Sequence, residues 1–221
     1  MNEVKPAAPP ASKDIDLCGV PLGRARHACA FFNSKEDQYR ALMPFLTEGF
    51  EMGDRNFHIV DPKRIDEHRR ILHDAGVDTD KASESGQLVI KGWDEAYLLD
   101  GRFDQDRMIA MIEEILQEGA RGQYRLTRFM ADVEWAIEDR PGVMDLVEYE
   151  TRLNYVLPKY DDALTCVYDL AQFGAETVMD IMRTHPMVII GGALFENPFY
   201  VPPDQMLKEL RERARRPERH R

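Results

Sequence analysis

Cysteine is scarce in this sequence: three in 221 residues cannot make a disulfide framework for a chain of this size. The N-terminal stretch has no apolar run that could serve as a signal peptide. No segment approaches the roughly 18 consecutive apolar residues of a membrane-spanning helix. Together these absences predict a reduced, cytoplasmic, soluble protein with no membrane partner. Basic residues are also outnumbered, with 29 Lys and Arg against 40 Asp and Glu and a formal net charge of -11. Neutralising a phosphate backbone needs a lysine and arginine surface, so direct nucleic-acid binding by the body is not expected. The G-x-S-x-G elbow, the H-E-x-x-H zinc helix and the G-x-G-x-x-G turn are all missing.

What is present is enough for one domain with a substantial core, since 43% of residues are hydrophobic. Residues 1–20 carry Pro6, Pro9 and Pro10 among small and charged residues and read as a disordered leader. The domain proper is expected over 21–203. Residues 204–221 form a C-terminal helix and basic tail, in which Lys208 to Arg221 holds seven Lys and Arg against three Glu. That composition offers only Met206, Leu207 and Leu210 for burial, so the tail is expected to be dispensable for folding.

Between these ends, short apolar runs alternate with helical periods. Strands are predicted at His27–Phe32, Asn56–Val60, Gln87–Ile90, Tyr124–Ala131, Ala163–Tyr168 and Met187–Ile190. The helices between them have stripes such as Met108, Met111, Ile112 and Ile115, or Val143, Leu146, Val147, Glu150 and Leu153. Strands alternating with helices make βαβ units. The predicted fold class is therefore α/β: a three-layer, mostly parallel sheet with helices on both faces.

The first of these units organises the rest. His27, Cys29 and Phe31 share one strand face, and a helix with Tyr39, Leu42, Met43, Leu46 and Phe50 on its buried stripe follows; Pro44 should kink it or cost it a hydrogen bond. In a nucleotide-binding protein the turn between strand and helix would be a glycine cradle with a lysine. Here it is Asn33-Ser34-Lys35-Glu36-Asp37, with two carboxylates where an anion would sit. The phosphate site is erased and ATP is not expected as a cofactor.

Ligands of open parallel sheets bind at the carboxyl ends of the strands. Asn33, Ser34, Asp61, Asp132, Glu134 and Asp169 fall there, although Asp is also a common cap or turn residue. A second set consists of His27, Cys29, Cys166 and His185. If their strands are neighbours, they could converge as two histidines and two cysteines, a combination suited to zinc; without a close C-x-x-C pair, ordinary burial of the cysteines competes with that reading. The same residues could instead line an apolar pocket. The sensing site is accordingly predicted at His27, Cys29, Cys166 and Tyr168, with Asn33, Asp132, Trp135 and Asp169 around it.

The segments HACAFF, PFLTEGFEMG, IVD, AGVD and GQLVI resemble, in that order, the MEDS family, as do the later RFMADVEW, YETRLN, CVYD, HP and NPFYVPP. These sensory domains are named after methanogens, methylotrophs and the dichloromethane-responsive repressor DcmR. The resemblance spans about His27 to Pro203. It implies a domain related to KaiC/RecA-like ATPases without their phosphate-binding loop, recognising small organic molecules of the hydrocarbon-derivative class. Family members usually carry a DNA-binding or histidine-kinase module, and nothing outside the sensor is large enough to be one. A stand-alone sensor signalling through a separate kinase or regulator is therefore expected. A metal- or thiol-dependent enzyme and a non-catalytic interaction module derived from an ATPase are the alternatives. Ligand identity and oligomeric state are not encoded in any pattern found.

Overall fold

The computed structural model describes residues 15–122 and 124–215. In chain order, two short strands, β1 (Asp16–Leu17) and β2 (Val20–Pro21), pair as an antiparallel hairpin. They are followed by β3 (His27–Phe32), α1 (Lys35–Glu51), β4 (Arg55–Val60), α2 (Ile65–Asp74), α3 (Thr79–Glu84), β5 (Leu88–Gly92) and α4 (Gln105–Arg121). The second half comprises β6 (Thr127–Asp132), α5 (Leu146–Val156), β7 (Ala163–Asp169), α6 (Ala175–Thr184), β8 (Met187–Ile190), β9 (Ala193–Glu196) and α7 (Pro203–Ala214).

The main sheet has seven strands in the order β5-β4-β6-β7-β3-β8-β9. All neighbours run parallel except the β8/β9 edge pair. Helices cover both faces, as the alternating pattern predicts. Period-two alternation sorts the central strands. Cys29, Phe31, Phe57, Phe129, Leu164, Cys166 and Tyr168 face the side covered by α4, α5 and α6. Ala28, Ala30, Phe32, Met130, Val167 and Ile189 face α1 to α3 and the β1/β2 hairpin. Buried on both faces, β3 and β6 have no exposed residue, as parallel central strands require.

Two expectations are corrected, at the two ends of the chain. The leader does not extend to residue 20: Ile15 and Leu17 are buried, and the hairpin packs on the α1 side of the sheet. Residues 1–14 lie outside the described residues. Pro44 lies inside the 17-residue α1 and, having no N–H, costs it one backbone hydrogen bond as expected. The C-terminal helix is part of the body, because Met206 is fully buried and Glu209 Oε2 accepts from Arg183 Nη2 at 2.6 Å. Arg213 also pairs with Asp180, and Tyr155 bonds to Asp204; the tail beyond Arg215 lies outside the described residues. Deleting the chain from Asp204 onward should therefore lower the thermal midpoint by about 5 to 10 °C. Re-exposing a buried methionine costs about 1.5 to 3 kcal/mol, and 1 kcal/mol shifts a domain of this size by roughly 2 to 4 °C. A calorimetric midpoint that does not move would return α7 to the status of an appendage.

Candidate functional site

The residues singled out in the sequence fall into two groups, toward opposite ends of the central strands. At the carboxyl ends, β3 passes to α1 on one face while β7 passes to α6 on the other. This is the divergence that opens a crevice in doubly wound sheets. Here that crevice is filled. Ser34 caps α1 through Asp37 N at 3.2 Å. Lys35 Nζ, the one cation of the turn, lies 3.1 Å from Asp132 Oδ2 and in contact with Glu134. Burial pushes the Lys35 ammonium down, but the two carboxylates outweigh it and hold its pKa above the ordinary value. Gln38 Nε2 donates to the other Asp132 oxygen at 2.9 Å. Only about 10 Å³ remains among Lys35, Gln38, Glu134, Tyr168 and Asp169.

Beside the plug, between the ends of β3 and β8, an open cleft of about 400 Å³ is lined by Phe31, Phe32, Asn33, Ala41, Gly191 and Gly192, with Asp37 and Arg40 at its side. Gly191 and Gly192 turn β8 back into β9 with φ of 60° and 78°, a left-handed pair that side chains resist. Their backbone therefore forms one wall.

The second group is buried near the amino ends, under α5. Glu150, on the apolar stripe of α5, lowers its carboxylate onto the sheet with no exposure. Its Oε1 accepts from Tyr168 Oη at 2.9 Å and its Oε2 accepts from Cys166 Sγ at 3.6 Å. The Nε2 atoms of His27 and His185 stand 3.3 and 3.4 Å from that same Oε2. Burial pushes the Glu150 carboxyl up; the contacts of His185 and then His27 outweigh it, and the group stays below the usual carboxylate range. Burial, and then the Glu150 charge, raise the Cys166 thiol well above its ordinary value, so it is no free thiolate nucleophile.

Of the residues predicted to converge, His27, Cys166 and His185 do so, with Tyr168 as a supporting donor. Cys29 does not. Although it sits opposite Cys166 in the parallel register, its Sγ turns to the Met187 carbonyl at 3.7 Å. Trp135 lies at no rim: it is fully buried, stacked on Tyr97 with ring centroids 4.7 Å apart. Asn33 lines the open cleft, Asp132 belongs to the plug, and Asp169 bonds its own turn through Ala171 N and Gln172. Glu150 is the member that the strand-end search missed. Its signal was a carboxylate in the middle of an apolar helical stripe between Leu146 and Leu153, where a charge is tolerated only when partnered.

Comparison with known proteins gives a consistent result. The model of the family described as MEthanogen/methylotroph, DcmR Sensory domain (MEDS) matches residues 26–186. The transcriptional repressor DcmR of Methylorubrum extorquens is 22% identical over 170 residues, covering 76% of this chain and 61% of the repressor. The chain thus spans about three fifths of the relative's length. A KaiC-like protein from the archaeon Pyrococcus horikoshii OT3 superposes with a TM-score of 0.52 at 14% identity, over 74% of this chain and 70% of that one. This last likeness speaks to the fold. Among the described residues, no helix is long and apolar enough to cross a membrane.

Proposed function

The chain belongs to the MEDS family of sensory domains, and from that premise we propose that it is a regulatory sensor whose effector is a small organic molecule. The effector occupies the cleft between the ends of β3 and β8. The observation that carries this reading is the replacement at the strand ends: the crevice next to α1 is closed by Lys35, Asp132 and Glu134, while the adjoining cleft stays open over two phenylalanines. A pocket of 400 Å³ falls within the range of roughly 300 to 1,000 Å³ usual for small-molecule sites. Its Phe31 and Phe32 floor suits a hydrocarbon derivative, and Asn33 and Arg40 suit the polar substituent of one.

The signal passes to a separate signalling protein, a kinase or a transcriptional regulator. What supports this step is the regulatory relative, together with Phe195 and Phe199, which are 53% and 58% exposed on and beyond the β9 edge strand.

The test is a thermal-shift and calorimetric screen with short-chain alcohols, ketones and halogenated hydrocarbons, set beside Mg-ATP. At least one organic compound should bind, and Ala41→Phe, which fills the cleft, should weaken it at least tenfold, equivalent to about 1.4 kcal/mol. The Mg-ATP titration should be flat, because the turn has no glycine cradle and its lysine is held by carboxylates. A micromolar dissociation constant for Mg-ATP, or an organic ligand indifferent to Ala41→Phe, contradicts the assignment.

A further inference from the structure

The cluster beneath α5 gathers two imidazoles, a carboxylate and a thiol, all of them buried. Asn154 Nδ2 donates to the carbonyls of Glu150, Thr151 and Thr184, at 3.1, 3.2 and 2.8 Å. This fixes the amide so that its Oδ1 faces His27 Nδ1 at 3.1 Å, and the proton of His27 is therefore on Nδ1. His185 Nδ1 lies 2.9 Å from both the Ile181 carbonyl and Thr184 Oγ1, which together fix the ring so that its Nε2 turns to Glu150. Both rings turn Nε2 toward the same carboxylate oxygen, and the Cys166 sulfur lies 3.7 Å from His27 Nε2. His185 Nε2 is buried and has no hydrogen-bond partner.

We propose that His27 Nε2, Glu150 Oε2, Cys166 Sγ and His185 Nε2 bind a divalent zinc-class cation. Their four donor atoms lie within 4.8 Å of one another. Four of the six donor–donor distances, 3.3, 3.4, 3.6 and 3.7 Å, fall in the range of tetrahedron edges, about 3.3 to 3.8 Å for ordinary zinc–nitrogen, zinc–oxygen and zinc–sulfur bonds. Two imidazoles, a thiolate and a carboxylate form a borderline donor set of the kind zinc takes. On binding, Cys166 loses its thiol proton to solvent.

The surrounding groups also fit. Asn154 and the Ile181 carbonyl orient the two rings, and Tyr168 Oη holds the carboxylate oxygen left outside the coordination sphere, as outer shells of metal sites do. All four donor residues are 2% exposed or less. This describes a closed, structural site with no position left for substrate. A cavity of about 260 Å³ lined by His27, Asn154 and Pro186 reaches it from the amino ends. The ion would staple α5 to β3, to β7 and to the end of α6. The inference goes beyond the sensing of an organic molecule and stands apart from it, because the cleft is at the other end of the strands.

Protein prepared without an affinity tag should carry zinc at a stoichiometry near one per chain. After chelation it should take up cobalt(II) with tetrahedral visible bands and a thiolate-to-cobalt charge-transfer band in the near ultraviolet. Cys166→Ser should abolish the charge-transfer band, whereas Cys29→Ser should keep it. Asn154→Leu leaves all four donors in place and should weaken cobalt affinity about 10- to 100-fold; it decides the matter if Cys166→Ser fails to fold. Folded wild-type protein that takes up neither metal overturns the proposal, and so does a cobalt spectrum without a thiolate band. A band that survives Cys166→Ser, or an affinity unmoved by Asn154→Leu, overturns it as well.

Discussion

Replacing Asp54 with alanine is expected to lower the unfolding free energy by about 3 to 5 kcal/mol, the range for removing one partner of a buried ion pair. Asp54 and Arg128 are both fully buried. Arg128 Nε donates to Asp54 Oδ2 at 2.7 Å, and its Nη1 reaches the Phe45 carbonyl at 2.6 Å and Glu48 at 2.8 Å. Arg125 donates to both Asp54 oxygens, at 2.7 and 2.8 Å. The carboxylate thus anchors two guanidinium groups where α1 meets β4 and β6, and its loss leaves the buried Arg128 Nε without its partner while Nη1 keeps Glu48 and the Phe45 carbonyl.

The packing there also explains Gly49, where an added Cβ would come within 2.9 Å of Arg128 Cδ. Urea unfolding measures the loss. The double variant Asp54→Leu/Arg128→Met should lose clearly less than the sum of the two single changes, because replacing both charges by apolar groups removes the unpaired-charge penalty. A loss below about 1 kcal/mol for Asp54→Ala would rank the network with exposed surface pairs.

The second large effect is a loss of stability in mild acid that originates in His58 and His68. Both rings are fully buried, with His58 Nδ1 2.8 Å from His68 Nε2 and Tyr39 Oη 2.8 Å from His68 Nδ1. Burial, then the charges of Lys35, Arg64 and Arg69, push the His68 pKa down to about 4. Burial, then its histidine neighbour, hold His58 well below its ordinary value. A histidine depressed in the folded state is protonated first in the unfolded chain. Its stabilising contribution is therefore complete above about pH 6.5 and is lost as pH falls toward about 4. Between pH 7 and pH 5 His68 alone should remove about 2 kcal/mol, and His58 acts in the same direction. The variant His58→Leu/His68→Leu should lose correspondingly less on going from pH 7 to pH 5. An acid limb as steep as that of the wild type would attribute the effect to carboxylates elsewhere.

The sequence by itself determined the layers. HACAFF and MVII read as strands because alternation and continuous apolarity are local signals, and the structure has them within the same bounds, His27–Phe32 and Met187–Ile190. The altered phosphate turn was equally legible, since it depends on which residues follow one strand. Short elements escaped: α3, the β1/β2 hairpin and the returning β9 are six residues or fewer, too short for a period to stand out.

The composition of the buried cluster depended instead on packing between distant segments. Pattern put Cys29 and Cys166 on one face and in reach of two histidines, but it could not say which turn of α5 crosses that face. The packing brings Glu150 over β7 and leaves the Cys29 sulfur turned to the Met187 carbonyl. A strand fixes the face of its own side chains through a two-residue repeat. The helix that covers it is positioned by side-chain packing across more than a hundred residues of chain, between His27 and Glu150, and no local pattern carries that information.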